Sequence, residues 1–286
     1  TKSMKRGYAL SPHGQVHFVV GGKGFPVVLI GPSKRSSRVF EDLARLLMPN
    51  YRVLCPDNLG FGGSDPLPAD ASIEMLATAT LACLDEVGID KAHIYGLHTG
   101  NKIAASIAAN VPARVAKLVL AGHTHSIIPD QGRRNAVIGS LVSQFLKDDA
   151  GDEGVRALRE WSALYHRISE TWWNAAVFPP GRAIEEIALA KRVVTDFILS
   201  AHSTRELYEA NFRYDLEADL KKVKAPTLVL EIATPDEDRD YGRQAENVCA
   251  LIAGSVSATI YESEGHTHTL ERRAPELRRI LADFFA

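Results

Sequence analysis

Ala92-His93-Ile94-Tyr95-Gly96-Leu97-His98-Thr99-Gly100-Asn101-Lys102-Ile103-Ala104-Ala105 changes its hydrophobic period within a few residues. An apolar run from Ala92 leads into Gly96-x-x-x-Gly100, and an Ala-rich helical pattern follows at once. A strand that turns sharply into a helix needs small residues where backbone meets backbone, and it holds the side chain between them in a strained, exposed position. His98 takes that position. The stretch predicts a strand, a tight turn and a helix, with an imidazole displayed at the turn.

The segments on either side repeat the alternation. Phe25-Pro26-Val27-Val28-Leu29-Ile30 is a continuous apolar run, the pattern of a strand buried on both faces. The loop Gly31-Pro32-Ser33-Lys34-Arg35-Ser36-Ser37 follows, and Val39 to Met48 reads as a helix ended by Pro49-Asn50. Tyr51 to Cys55 is the next strand and enters a Gly-rich turn, Pro56 to Asp65. Ser72 caps a helix through Val87, with Gly88 ending it. Residues 7–21 alternate around Pro12-His13-Gly14, an opening hairpin. Beyond the central stretch, Val115 to Leu120 is a further buried strand that opens into Ala121-Gly122-His123-Thr124-His125. Strands alternating with helices predict an α/β fold, a mostly parallel sheet with helices on both faces.

Residues 127–220 break that rhythm. They are helical in pattern, carry Trp161, Trp172 and Trp173, and contain a Phe178-Pro179-Pro180-Gly181 break. We read them as an inserted helical cap on a core made of residues 1–126 and 221–286. The alternation resumes with a strand from Thr227 to Ile232, a helix near Tyr241 to Ile252, a strand from Ser257 to Tyr261, and a last helix from Pro275 to Phe285.

Composition narrows the function. A chain of 286 residues can bury one large core with an inserted subdomain. A hydrophobic fraction of 45% and a charged fraction of 24% are those of an ordinary soluble protein. Lys+Arg at 33 against Asp+Glu at 35 leaves a net charge of -2, so nothing global draws the chain to nucleic acid or an anionic membrane. No apolar run is long enough to span a bilayer. The start, Thr1 to Arg6, is charged with no apolar run behind it, so no signal peptide is expected and a cytoplasmic location is. Cys55, Cys83 and Cys249 form no C-x-x-C and read as small hydrophobes in a reducing compartment. Gly60, Gly62 and Gly63 are not a dinucleotide site, because the first strand–helix turn lacks Gly-x-Gly-x-x-Gly.

Four landmarks in order, PVVLIGPSKRSSRVF, YRVLCPDNLGFGGSD, the Gly96–Gly100 turn with KIAASIAANVPARVAKLVL behind it, and APTLVL followed by GHTHTLERRAPEL, resemble a capped α/β-hydrolase over nearly all of the chain outside the cap. The resemblance makes the central turn a nucleophile elbow, with His98 where the family carries Ser. It implies His266 as catalytic base, with His268 as a rival, and Asp236 as the acid, with Glu237 and Asp238 beside it. The backbone N–H groups of Ser33 and Thr99 would form the oxyanion hole. It implies no cofactor and no metal. The family's usual His-Gly before the oxyanion loop is Gly31-Pro32 here, and the cations Lys34 and Arg35 follow.

Imidazole has an ordinary pKa of about 6.5, so near neutrality one ring nitrogen usually holds a free lone pair. His98 could attack an activated ester, lactone, amide or thioester directly, with His266 activating water against the acyl-imidazole. Alternatively His98 and His266 could be an acid/base pair, suited to hydrolysis of an activated C–C bond or to water addition. A non-hydrolytic lyase or a cofactor-free oxygenase is the enzymatic alternative; an inactive ligand-binding protein is the other. Zn²⁺ between His98, His123 or His125, and His266 or His268 is chemically conceivable, but no local pair has helical ligand spacing. Lys34 and Arg35, with Arg133 and Arg134 near the cap, would suit a small anionic substrate, and His123, His125 and Trp173 are candidates for substrate contact. His13, His17 and His93 are given no role, and the oligomeric state is left open.

Overall fold

In a computed structural model of the chain the described residues are 4–122, 184–233, 243–261 and 270–286, with positions 132, 136 and 235. They form an eight-stranded sheet in the order β1-β2-β4-β3-β5-β6-β7-β8. The strands are β1 (Lys5–Ser11), β2 (Gly14–Gly22), β3 (Phe25–Ile30), β4 (Tyr51–Pro56), β5 (Ala92–Leu97), β6 (Val115–Ala121), β7 (Thr227–Ala233) and β8 (Val256–Tyr261). β1 and β2 pair antiparallel, as does β2 with β4, and every pairing from β4 through β3 to β8 is parallel. The fold is α/β, as the alternation predicts.

Each apolar run feeds both faces. In β3, Val28 and Ile30 enter one core cluster and Val27 and Leu29 the other. In β5, Ile94 goes to the first and Tyr95 and Leu97 to the second. Helices α1 (Glu41–Leu47) and α8 (Ala274–Phe285) cover the second cluster through Leu43, Leu47, Leu277 and Leu281. Helices α2 (Ile73–Glu86) and α3 (Thr99–Asn110) cover the first through Leu76, Leu84, Ile103 and Ile107. At about 25 cal/mol per Å² of apolar surface removed from water, these two clusters are the main source of stability. Cys55 and Cys83 are buried in them as free thiols, and Cys249 is half-buried.

Between β6 and β7 the described chain is helical: α4 (Ile184–Leu199), α5 (Thr204–Arg213) and α6 (Leu216–Leu220). Leu207, Leu216 and Leu220 join the cluster that α3 covers. Trp161, Trp172, Trp173 and the Phe178–Gly181 break lie outside the described residues. No described helix is long and apolar enough to cross a membrane.

Two helices begin later than their patterns suggest. The segment from Val39 opens as a 3-10 turn, Ser37–Phe40, before α1 starts at Glu41. Helix α7 is Ala245–Leu251 rather than starting near Tyr241, because the Glu231 carboxylate accepts the backbone N–H groups of Gln244 and Ala245 and fixes Gln244 as the cap. Ser72 caps α2 as expected, accepting the Met75 N–H at 3.3 Å.

Two buried titratable groups tie stability to pH. Burial alone would raise the Asp57 carboxyl, but His17 Nδ1 at 2.8 Å and the N–H groups of Gly63 and Ser37 outweigh it and hold it below its ordinary value. His93 lies on β5, stacked on Phe285 at 4.4 Å, and burial with nearby Lys117 lowers its pKa to about 4. The unfolded chain would titrate His93 near 6.5, so its contribution is intact above that pH and is lost as pH falls toward 4. The Asp57 contribution is present above about 3.9 and is lost only at lower pH. We predict that the urea midpoint falls between pH 7 and pH 4.5, and that the fall is shallower in His93→Phe. An equally steep fall in the variant would assign the effect to other groups.

Candidate active site

The strand-to-helix turn lies between β5 and α3. His98 has φ 50° and ψ -109°, a conformation that costs a non-glycine residue about 1–3 kcal/mol and persists only where its surroundings fix it. They do. A Cβ on Gly96 would collide with the Gly100 carbonyl, and one on Gly100 would collide with the Ile30 carbonyl at the end of β3. The first turn of α3 thus rests on bare backbone from both sides. His98 is half-buried, and its imidazole lies against Gly122, where an added Cβ would meet ring atoms Cε1 and Nδ1 at 2.7 Å. Gly122 itself has φ +80° and donates its N–H to the Leu230 carbonyl, which locks the end of β6 to β7 beneath the ring.

Beside the turn is the loop after β3. The hydroxyls of Ser33 and Thr99 are in hydrogen-bond contact, which brings the two expected oxyanion residues together. Thr99 opens α3, so its N–H belongs to the first turn, where no intrahelical carbonyl is available. Asn58 Nδ2 donates to the Gly31 carbonyl at 3.0 Å and holds the base of the loop. From α5, Asn211 Nδ2 lies 3.5 Å from Thr99 Oγ1, and Lys102 Nζ donates to the Asn211 carbonyl at 2.7 Å. Asn101 is fully buried, and its side-chain amide has no partner among the described residues.

The two cations of the loop diverge. Lys34, at φ 62°, places Nζ 4.9 Å from the centre of the Phe197 ring on α4. Arg35, read as a candidate for substrate, turns inward instead, and its side chain is 5% exposed. Its Nε donates to Asp196 Oδ2 at 3.1 Å, and Nη1 and Nη2 donate to the two Glu271 oxygens at 3.1 and 3.0 Å. Burial disfavours the Arg35 charge, but Glu271 and Asp196 more than offset this and raise its pKa above the ordinary value. Protein carboxylates answer this charge, because the bidentate fork matches Glu271.

The described residues therefore bring together His98, Ser33 and Thr99, with Lys34 and Arg35 beside them. His266, His268, Asp236, Asp238, His123, His125, Trp173, Arg133 and Arg134 lie outside the described residues. Sequence reasoning missed Asn58, Asn211, Asp196 and Glu271, which reach the loop from distant parts of the chain. Gly122 carried a signal, a glycine directly after a buried strand.

A match to the model of the alpha/beta hydrolase fold spans residues 24–186, more than half of the chain. The chain belongs to the alpha/beta hydrolase fold family. It is 27% identical over 248 residues to the "Putative carbamate hydrolase RutD" of Pseudomonas syringae pv. syringae (strain B728a), covering 86% of this chain and 88% of that protein. It is 31% identical over 113 residues to a 2-hydroxy-6-oxo-6-phenylhexa-2,4-dienoate hydrolase of Burkholderia cepacia, covering 38% of this chain and 40% of that one. Among solved structures it is similar to the enol-lactonase from Burkholderia xenovorans LB400, with a TM-score of 0.71 at 21% identity over 98% of this chain and 99% of that one. That likeness speaks to the fold.

In this alpha/beta hydrolase fold, Gly122 is the seat of the elbow side chain. Gly122→Ala should cost about 1–2 kcal/mol for the left-handed backbone alone, and more as the His98 ring is displaced. Thermal unfolding measures the first part. The second is read by pairing with His98→Gly: the alanine should cost less when no ring is present. Equal costs in both backgrounds would show that ring and glycine do not interact.

Proposed function

We propose that this chain is a cofactor-independent hydrolase of a small carbonyl substrate, an ester, lactone, amide or activated C–C bond, in which His98 does the work of the elbow serine. One observation carries the reading: a half-buried imidazole is held at the strained turn and seated against the bare backbone of Gly122. Both curated relatives carry hydrolase names, which agrees with it.

In this reading the N–H groups of Ser33 and Thr99 receive the oxyanion, and His266, oriented by Asp236, handles protons. Partial positive charge at the start of α3 disfavours a second proton on the ring. As nucleophile, the lone pair of neutral His98 adds to the carbonyl carbon, and the carbonyl electron pair moves onto oxygen. Collapse expels the leaving group, which takes up the proton released by the imidazole; water, deprotonated by His266, then cleaves the acyl-imidazole and returns a proton to His98. As acid/base partner, His98 and His266 share the proton transfers and water attacks without an acyl-enzyme. The reading keeps residues 127–220 as a cap and gives substrate contact to His123, His125, Trp173 and Lys34.

A panel of activated esters and lactones, assayed with wild type, His98→Ala and His98→Ser, tests the proposal. Wild type should turn over, and His98→Ala should lose about 10²–10⁴-fold in kcat/KM. Intact-mass measurement after rapid quenching then separates the two roles, since only the nucleophile accumulates an acyl adduct. Turnover that survives in His98→Ala would remove His98 from the chemistry. A silent wild type with an active His98→Ser would show a competent frame whose natural reaction is not acyl transfer.

A further inference from the structure

Five charged side chains form a connected cluster beside the loop after β3. Arg35 on the loop after β3 binds Asp196 on α4 and both oxygens of Glu271. Arg192, one turn earlier on α4, lies 3.8 Å from the same Glu271 and 3.6 Å from Glu41 on α1. Ser36 Oγ adds a 2.7 Å bond to the second Asp196 oxygen. Arg35, Asp196 and Glu271 are each no more than 5% exposed at their side chains. The cluster thus joins four segments: the loop carrying Ser33, helix α4, the turn that enters α8 and, through Arg192, the start of α1.

Net stability is a weak reason for such a cluster. Apolar packing of similar volume usually matches or exceeds a buried ion pair, while loss of one partner strands a buried charge. Geometry is the better reason. A guanidinium fork that satisfies two carboxylates fixes distance and direction together. Two of the three described non-glycine residues with positive φ flank its members: Lys34 (φ 62°) precedes Arg35, and Leu270 (φ 55°) precedes Glu271. Backbone held in such conformations needs over-determined surroundings, and the network supplies them on both sides. Lys34 over Phe197 is a second clasp between the same loop and α4.

We propose that Arg35 is a positioning residue: it locks α4 and the Glu271 turn onto the Ser33 loop, so that the seating of α4 and the setting of the Ser33 N–H depend on each other. This rests on the reading of Ser33 as an oxyanion donor. It also gives Glu271, which follows His266 closely in sequence, a part in the same lock.

Hydrogen–deuterium exchange on the full chain, with steady-state kinetics, tests it in wild type, Asp196→Asn, Arg35→Lys and Arg35→Gln. Asp196→Asn, the gentlest change, should speed exchange in residues 31–40 and 270–276 as well as in its own helix, and leave α7 unaltered. Faster exchange confined to α4 would overturn the coupling. Arg35→Lys keeps the charge without the fork. It should retain most of the melting temperature while kcat falls by up to about a hundredfold with little change in KM, the signature of a misplaced oxyanion donor. Wild-type kcat in Arg35→Lys and Arg35→Gln would overturn the positioning role even in an active hydrolase. Should wild type prove inactive, the hydrolase reading fails, and the exchange pattern alone decides the lock.

Discussion

Backbone-to-backbone contact at the start of α3 is the constraint on which the site depends. Gly100 rests on the Ile30 carbonyl and Gly96 on Gly100, so α3 begins hard against the ends of β3 and β5. No side chain fits in that space, and the chain can turn only by forcing positive φ on the residue between them. That residue is His98. The same contact brings Thr99 to the loop after β3, where its hydroxyl meets Ser33. The tight turn, the Ser33–Thr99 contact and the start of α3 are therefore consequences of one close approach.

The turn must also make room for a ring. An imidazole is larger than a hydroxymethyl group, and the ring is accommodated against Gly122, whose backbone is left-handed and pinned to Leu230. The site is thus adapted to the residue it carries: the side chain at the elbow and the bare backbone at the end of β6 fit each other.

The fold could be read from the sequence because its determinants are local. A run such as Val27 to Ile30 sends alternate residues to two cores, and Ser72, Gly88 and the Gly96–Gly100 pair mark boundaries within a few residues. The α7 boundary was misplaced because its cap comes from Glu231, an acid on another element that no local pattern announces. The fate of Arg35 was hidden for the same reason at greater range: its partners lie 161 and 236 residues away. Beside Lys34 on the loop after β3, a second cation invites assignment to substrate. Only the arrival of Asp196 and Glu271 shows that its charge is answered within the protein.

That distinction bears on the substrate that the proposed site would recognise. With the Arg35 guanidinium engaged by two carboxylates, the loop after β3 holds its other cation, Lys34, over the Phe197 ring, a point charge rather than a bidentate fork. Discrimination for a planar carboxylate through two parallel hydrogen bonds would have to come from elsewhere on the chain. In the proposed hydrolase, the spacing between α4 and the His98 turn then carries more of the selectivity than charge. In the proposed lock, Arg35 holds α4, the Glu271 turn and the Ser33 loop together, so that spacing and the loop geometry depend on one buried side chain.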